Sequence, residues 1–238
     1  SWFTQQYSGP TQILFGVTAA DDPVCGIVRK LLQEFPRNDA QLVVSTPLPG
    51  ANAKVAKLVE LERLAKHDLL VISDADVRVP PDFLANIVAP LCEVPVSQAT
   101  EEGSGIVVPA LVAADGSRRH IRCGQNAPTD VGGYAQLADH ARREVSTSGA
   151  PACGLVCCFY RLANPTTLAM QWEAIAINAD FWSQVLQSRS LKPLDFALGA
   201  AMATRRQHVQ EVGGFAALLD CLADDYQLGN RIASRGHP

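Results

Sequence analysis

The chain has 238 residues, 47% of them hydrophobic and 18% charged, with a formal net charge of −4. That composition gives a core for one large α/β domain or two small ones, and it excludes a disordered segment. The mild acidity leaves no electrostatic footprint for nucleic acid.

Seven cysteines make an odd count with no Cys-x-x-Cys pair. Cys153, Cys157 and Cys158 lie in an apolar run and read as buried thiols of a reducing compartment, so a zinc site is not expected. Arg118-Arg119 and Arg205-Arg206 read as solvated faces or phosphate contacts. The longest apolar runs, Ala152 to Tyr160 and Phe196 to Ala203, are shorter than the roughly 18 to 20 residues that span a bilayer. No signal-peptide pattern opens the chain. It begins on Ser1 in what reads as a helix tail, Trp2 to Tyr7, and a fragment is the expectation.

In chain order, Thr11 to Val17 reads as a strand ending in Asp21-Asp22-Pro23. A helical pattern through Val24, Ile27, Val28, Leu31 and Leu32 follows, and Pro36 terminates it. Gln41 to Ser45 reads as the next strand. After a Gly/Pro loop, Asn52-Ala-Lys54-Val55 opens a helix with apolar positions Val55, Leu58, Val59 and Leu61, running to Lys66. The apolar run Leu69 to Ile72 reads as a buried strand, and Asp74-Ala-Asp76-Val-Arg78 ends it before Pro80-Pro81. A helix over Pro81 to Leu91 follows. Strand–helix alternation at this spacing predicts a mostly parallel, twisted, Rossmann-like α/β sheet flanked by helices.

From Glu93 to about Pro151 the alternation is lost. Gly105 to Val112 reads as a strand, with Asp115-Gly116 turning into a second one. Gln125 to Gly133 is loop-like, and Tyr134 to Glu144 fits an exposed helix. His120 and His140 read as surface residues, since neither has a partner at metal-binding spacing. Gly154 to Arg161 reads as a buried strand. Thr166 to Leu186 reads as one long helix with Leu168, Trp172, Ile175, Ala179, Trp182 and Val185 on one stripe. Such a stripe faces a core, or with two tryptophans an apolar ligand or membrane interface. Phe196 to Ala203 is a short apolar segment, Val209 to Val212 a helix end stopped by Gly213-Gly214, and Asp224-Asp225 open a last helix.

Two roles are open for Asp74 and Asp76. They can cap the following helix, or seat a hard divalent cation at the carboxyl end of a strand, where open α/β sheets bind ligands. Sugar transfer from a nucleotide diphosphate needs a nucleoside contact, a metal for the leaving diphosphate, and a base for the acceptor hydroxyl. Asp21/Asp22, Asp74/Asp76 and Asp225 occur in that order.

With Ile13-Leu-Phe-Gly-Val17, Asp21-Asp22-Pro23, Gly50-Ala-Asn52-Ala-Lys54-Val55, Asp74-Ala-Asp76-Val-Arg78, Gly154-Leu-Val-Cys-Cys-Phe-Tyr-Arg161, Phe196-Ala-Leu-Gly199-Ala, Gly213-Gly214-Phe215 and Ala223-Asp224-Asp225-Tyr226, the chain resembles the family-2/family-21 nucleotide-sugar glycosyltransferases. The nearest likeness is to ceramide glucosyltransferases and bacterial hopanoid-associated glycosyltransferases. The resemblance covers residues 1 to about 92 and 153 to 238. It implies a single GT-A-type catalytic domain, incomplete at both ends, with 93–152 as an insertion.

It further implies that Asp21 and Asp22 contact the nucleoside and that Lys54 faces the nucleotide or its phosphates. Asp74 and Asp76 would bind Mg²⁺ or Mn²⁺ and with it the donor. Asp225 would be the general base of an inverting transfer of a hexose, from a nucleotide (UDP) sugar to a lipid hydroxyl such as that of ceramide or a hopanoid. The implied whole protein is membrane-associated with its catalytic domain facing the cytoplasm. The family's first strand, its Gln/Arg-x-x-Arg-Trp motif and its transmembrane helices are not found in the sequence. Two other readings stay open: a haloacid-dehalogenase-type phosphohydrolase using Asp74 and Asp76, although two βα units precede this strand, and a non-catalytic binding domain.

Overall fold

The structure, a computed structural model, describes residues 1–46, 48–92, 106–111, 121–122 and 153–237. Arg118-Arg119, His120, His140, the Asp115-Gly116 turn and the helix and loop expected over 125–144 lie outside those residues.

A 3₁₀ turn, Trp2–Thr4, leads to β1 (Thr11–Val17), α1 (Pro23–Glu34), β2 (Asp39–Val44), α2 (Ala53–Leu64), β3 (Leu69–Asp74), β4 (Val77–Arg78) and α3 (Phe83–Cys92). Then follow β5 (Ile106–Leu111), β6 (Ile121–Arg122), β7 (Leu155–Cys157), α4 (Leu168–Ile175), a π-helical segment (Ala176–Phe181), α5 (Trp182–Leu191), β8 (Ala201–Arg205), α6 (Arg206–Glu211), a 3₁₀ turn (Phe215–Leu218) and α7 (Asp224–Ser234). The first two helices start where the sequence supplies caps. The Asp22 carboxylate accepts from the Val24 amide at 2.9 Å with Pro23 in the first turn. Asn52 Oδ1 accepts from the Lys54 and Val55 amides at 3.0 and 3.1 Å. Each arrangement satisfies amides that have no partner within the helix.

The main sheet has the order β2-β1-β5-β3-β8-β7. Its first four strands are parallel, and β8 runs antiparallel to both β3 and β7. The chain is thus of the α/β class with a mostly parallel sheet and flanking helices. β5 falls within the stretch read as an insertion, yet it pairs with β1 on one side and β3 on the other. That part of 93–152 therefore supplies a central strand. Its neighbours in sequence carry no helical period, so chain order alone does not place it there.

β1 and β3 are buried on both faces, as their near-continuous apolar runs require. Leu14, Leu70 and Ile72 pack with α2 and α7 on one side. Leu69 and Val71 meet α3, and Ile13, Phe15 and Val17 meet α1, on the other. Polar groups fasten these layers. Gln12, fully buried, donates to Leu64 O and accepts from the Lys66 amide, tying β1 to the end of α2. Arg205 donates to Leu91 O, and Arg206 to Ala65 O and His67 O. These arginines are therefore helix-end and loop clamps rather than solvated or phosphate-binding groups.

Three expectations change. The helix tail over Trp2 to Tyr7 is only the single 3₁₀ turn. The buried strand over Gly154 to Arg161 shrinks to three half-buried residues, because among the described residues β7 is an edge strand with one neighbour. The long helix over Thr166 to Leu186 is interrupted by the π-helical segment, which rotates the faces before and after it out of register. Leu168, Trp172 and Ile175 are consequently 70%, 66% and 58% exposed, while Ala174 and Val185 are buried. Among the described residues no helix is long and apolar enough to cross a membrane. The six described cysteines form no disulfide; Cys25 is buried, Cys92 exposed, and Cys153, Cys157, Cys158 and Cys221 only partly buried.

The segment before β8 lies along α7 in the opposite direction. Asn230 donates to Asp195 O, and Phe196 stacks on Tyr226 at 5.7 Å. At Gly229 an added Cβ would collide with backbone atoms of Phe196 and Ala197. Gly229→Ala is expected to destabilise by about 3 kcal/mol, the upper range for overpacking against backbone. Gly26, in α1, has nothing within 4 Å of such a Cβ, and Gly26→Ala is expected to stabilise by about 0.5 to 1 kcal/mol through helix propensity. Urea midpoints of the two variants, moving in opposite directions, check both.

Candidate functional site

At the carboxyl ends of β1 and β3, three chain segments converge. The Lys54 ammonium, in the first turn of α2, lies 3.1 Å from Asp74 Oδ1 and 3.5 Å from Asp224 Oδ2. Asn52 locks the geometry. Its Oδ1 caps α2, while its Nδ2 donates to Cys221 O at 2.8 Å and to Asp224 Oδ1 at 3.1 Å. The Asn52 amide also donates to Leu219 O, and the Ala51 amide to Asp220 Oδ1. The loop before α2 is thereby sewn to the loop before α7. Gly50 sits at φ +152°, where a Cβ would also press on Leu219, so glycine is required by both conformation and space.

Asp225 follows Asp224 on α7. Its Oδ1 accepts from the Tyr226 amide at 2.8 Å. Its carboxylate lies directly over Gly199, where an added Cβ would fall 2.5 Å from Oδ2 and 2.9 Å from Cγ. Only glycine leaves that place to the carboxylate.

One ammonium thus serves several carboxylates. Burial works to lower the pKa of Lys54, but Asp74, then Asp224 and Asp225, outweigh it and hold the pKa above its usual value. Asp74 shows the other side of this. Burial raises its pKa; Lys54 opposes that, but Asp224 and Asp225 add to it, and the net shift is upward. The two partners differ because Lys54 is shared while Asp74 meets two further anions.

Asp22 is partly exposed at the start of α1, and Asp21 is exposed in the turn before it. Behind them, Lys57, three residues from Lys54 on α2, is 5% exposed with its Nζ 3.5 Å from Thr18 Oγ1. Burial lowers its pKa, and Asp22 partly counters this. Asp76 is exposed in the β3–β4 turn. The structure therefore brings Lys54, Asp74 and Asp225 together, with Asp76 two residues beyond Asp74 and Asp22 at the neighbouring strand end.

Sequence reasoning assigned no role to Asn52, Lys57, Asp224 or Gly199. The spacing of Lys54 and Lys57, i and i+3 on one helix face, was a legible signal for Lys57. Nothing local distinguishes Asp224 from Asp225.

Next to the carboxylates is an aromatic group. Trp182 is edge-on to Phe159, Tyr160 and Phe181, with centroids 4.6, 5.0 and 5.0 Å away, and donates from Nε1 to Tyr160 O. Burial raises the pKa of the Tyr160 phenol, helped by Asp225 and Asp74.

A mostly parallel sheet with carboxylates and a cation gathered at its strands' carboxyl ends is the arrangement of a ligand-binding α/β domain. This chain belongs to glycosyl transferase family 21, whose family model matches residues 1–111 and 139–238. It is similar to ceramide glucosyltransferase 1 of Caenorhabditis elegans, 29% identical over 87 residues, which is 37% of this chain and 18% of that protein. It is likewise similar to ceramide glucosyltransferase 3 of the same organism, 29% identical over 82 residues, covering 34% of this chain and 18% of that one. With the ceramide glucosyltransferase of Candida albicans it shares 33% over 102 residues, 38% of this chain and 19% of that protein. The matched part thus spans less than a fifth of each of these curated relatives. No solved structure matches the chain.

Because its folded-state pKa is raised, an ionised Asp74 works against folding. The penalty is absent below the unfolded carboxyl range and complete once pH exceeds the folded value. Asp74→Asn is therefore expected to raise the urea midpoint at pH 7.5, with the gain shrinking toward pH 4. An unchanged or lower midpoint at pH 7.5 would mean that the Lys54 pair outweighs burial and anion repulsion.

Proposed function

We propose that this chain carries the donor site and the base of an inverting, GT-A-type glycosyltransferase. The intact enzyme moves a hexose from a uridine-diphosphate sugar to the hydroxyl of a lipid, with ceramide or a hopanoid as the acceptor class. The observation that carries the reading is the meeting of Asp74, Asp224 and Asp225 around Lys54 in a chain of family 21. Ceramide glucosyltransferases among the relatives support a lipid acceptor, and the same membership leaves no role for a phosphohydrolase.

Asp22, one oxygen fixed by the Val24 amide, offers its other to the nucleoside, with Asp21 beside it. Lys54 supplies a charged donor for the phosphates. Asp74 and Asp76, an all-oxygen set, suit Mg²⁺ or Mn²⁺. Asp74, buried and facing Asp224 and Asp225 besides Lys54, has a raised pKa, and a bound cation would favour its ionised form. When bound, such an ion neutralises the leaving diphosphate.

Asp225 holds the acceptor hydroxyl and takes its proton as the hydroxyl oxygen bonds to the anomeric carbon and the diphosphate leaves from the opposite face. The Tyr226 amide on Oδ1 and Gly199 beneath Oδ2 fix where that base stands. Tyr160 and Trp182 give the acceptor side an apolar wall. The exposed Leu168, Trp172 and Ile175 form a face that fits a membrane surface on the cytoplasmic side.

Sugar transfer by the full-length protein in Mn²⁺ or Mg²⁺ tests the base. Asp225→Asn is expected to lower kcat by about 10³-fold or more, a loss in the range of general-base catalysis, while calorimetry shows donor binding unchanged. Retained turnover would remove Asp225 from the role. Gly199→Ala, which displaces the same carboxylate, is expected to lower kcat more than it alters donor affinity.

A further inference from the structure

The opposite pole of the sheet carries a second group of side chains. β8 runs antiparallel to β3, with Arg205 paired to Leu69, so α6 begins where β3 starts, a strand length from Asp74. His208 and Glu211 are three residues apart on α6 and share a face. His237 comes to them from beyond the end of α7. Gly236, at φ +89°, reverses the chain, with its amide on Ala233 O and that of His237 on Ile232 O. Gly154 leaves room for the His237 side chain, which a Cβ there would strike.

The two imidazoles meet at 4.2 Å between centroids, and His237 Nε2 is 2.9 Å from Glu211 Oε2. One donor atom from each of the three residues lies within 4.8 Å of the others. His208 is 6% exposed, and its Nδ1 is buried with no hydrogen-bond partner among the described residues. Leaving a ring nitrogen so is unfavourable unless something satisfies it.

We propose that His208, Glu211 and His237 form a structural site for a first-row transition metal, Zn²⁺ foremost, that clamps α6 to the end of α7. Two imidazoles and a carboxylate are a zinc-type donor set, unlike the all-oxygen Asp74 and Asp76. Ligand bonds of about 2.0 to 2.2 Å require the donors to draw inward by side-chain rotation, and solvent at the half-exposed edge fills the remaining position. The clamp holds the far end of the helix whose first turn carries Asp224 and Asp225. It stands whether or not the donor site works as proposed. Cysteine spacing gave no zinc site because this one uses none.

The test uses the intact protein in an Asp74→Asn/Asp76→Asn background, which removes the acidic pair. Zn²⁺ titration by calorimetry and Co²⁺ absorption are compared with the same protein carrying Glu211→Gln or His237→Ala. One saturable site is expected, with Co²⁺ bands of four- or five-coordinate intensity and at least a tenfold weaker Kd in either variant. A hundredfold excess of Zn²⁺ over Kd is expected to raise Tm by about 5 °C, and Mg²⁺ not at all. Circular dichroism at 20 °C checks that the variants fold. Equal binding by parent and folded variants, or no saturable site in the parent, would overturn the proposal.

Discussion

The sharing of one buried-edge ammonium among several carboxylates is the constraint on which the site depends. Lys54 can neutralise only one unit of charge, and Asp74 and Asp224 both sit within its reach. The start of α2, the end of β3 and the start of α7 must therefore meet at one point. Asn52 enforces this by capping α2 with one side-chain atom and holding Cys221 and Asp224 with the other. Burial, opposed by Lys54 and reinforced by Asp224 and Asp225, raises the pKa of Asp74, so the ionised carboxylate opposes folding. Strain of this kind is concentrated at functional sites, where a ligand relieves it.

Packing fixes Asp225 as firmly as charge fixes Asp74. α7 can lie against the segment running from Asp195 to Gly199 only because glycine stands at each close approach, Gly229 against Phe196 and Ala197, and Gly199 under Asp225. The helix is about 16 Å long at the usual rise per residue. Its first turn faces the carboxylates, and its last leads to His237 beside α6. The same element therefore links two chemically distinct poles of the sheet, one all-oxygen and one with two imidazoles.

The face presented by α4 follows from a local backbone event. The π-helical segment at Ala176–Phe181 turns Trp182 into an aromatic group beside Tyr160. It leaves Trp172 with Leu168 and Ile175 toward solvent. An uninterrupted helix would have placed both tryptophans on one stripe.

The strands at Thr11 and Leu69, the helix starts after Asp22 and at Asn52, the glycine stop after α6 and the acidic first turn of α7 are legible in the sequence alone. Each of these is set by local periodicity or by a side chain bonding its own neighbouring amides. The sequence also singled out Lys54, Asp74 and Asp225 through their resemblance to a family. That Ile106–Leu111 lies between β1 and β3 is visible in the folded chain alone, since strand order is fixed by pairing across long separations. Only the fold separated Asp224, turned inward to Lys54, from Asp225, set over Gly199, because adjacent helical residues differ by about 100° in direction. It also joined His237 to His208 and Glu211, for the turn at Gly236 and the space at Gly154 belong to different parts of the chain.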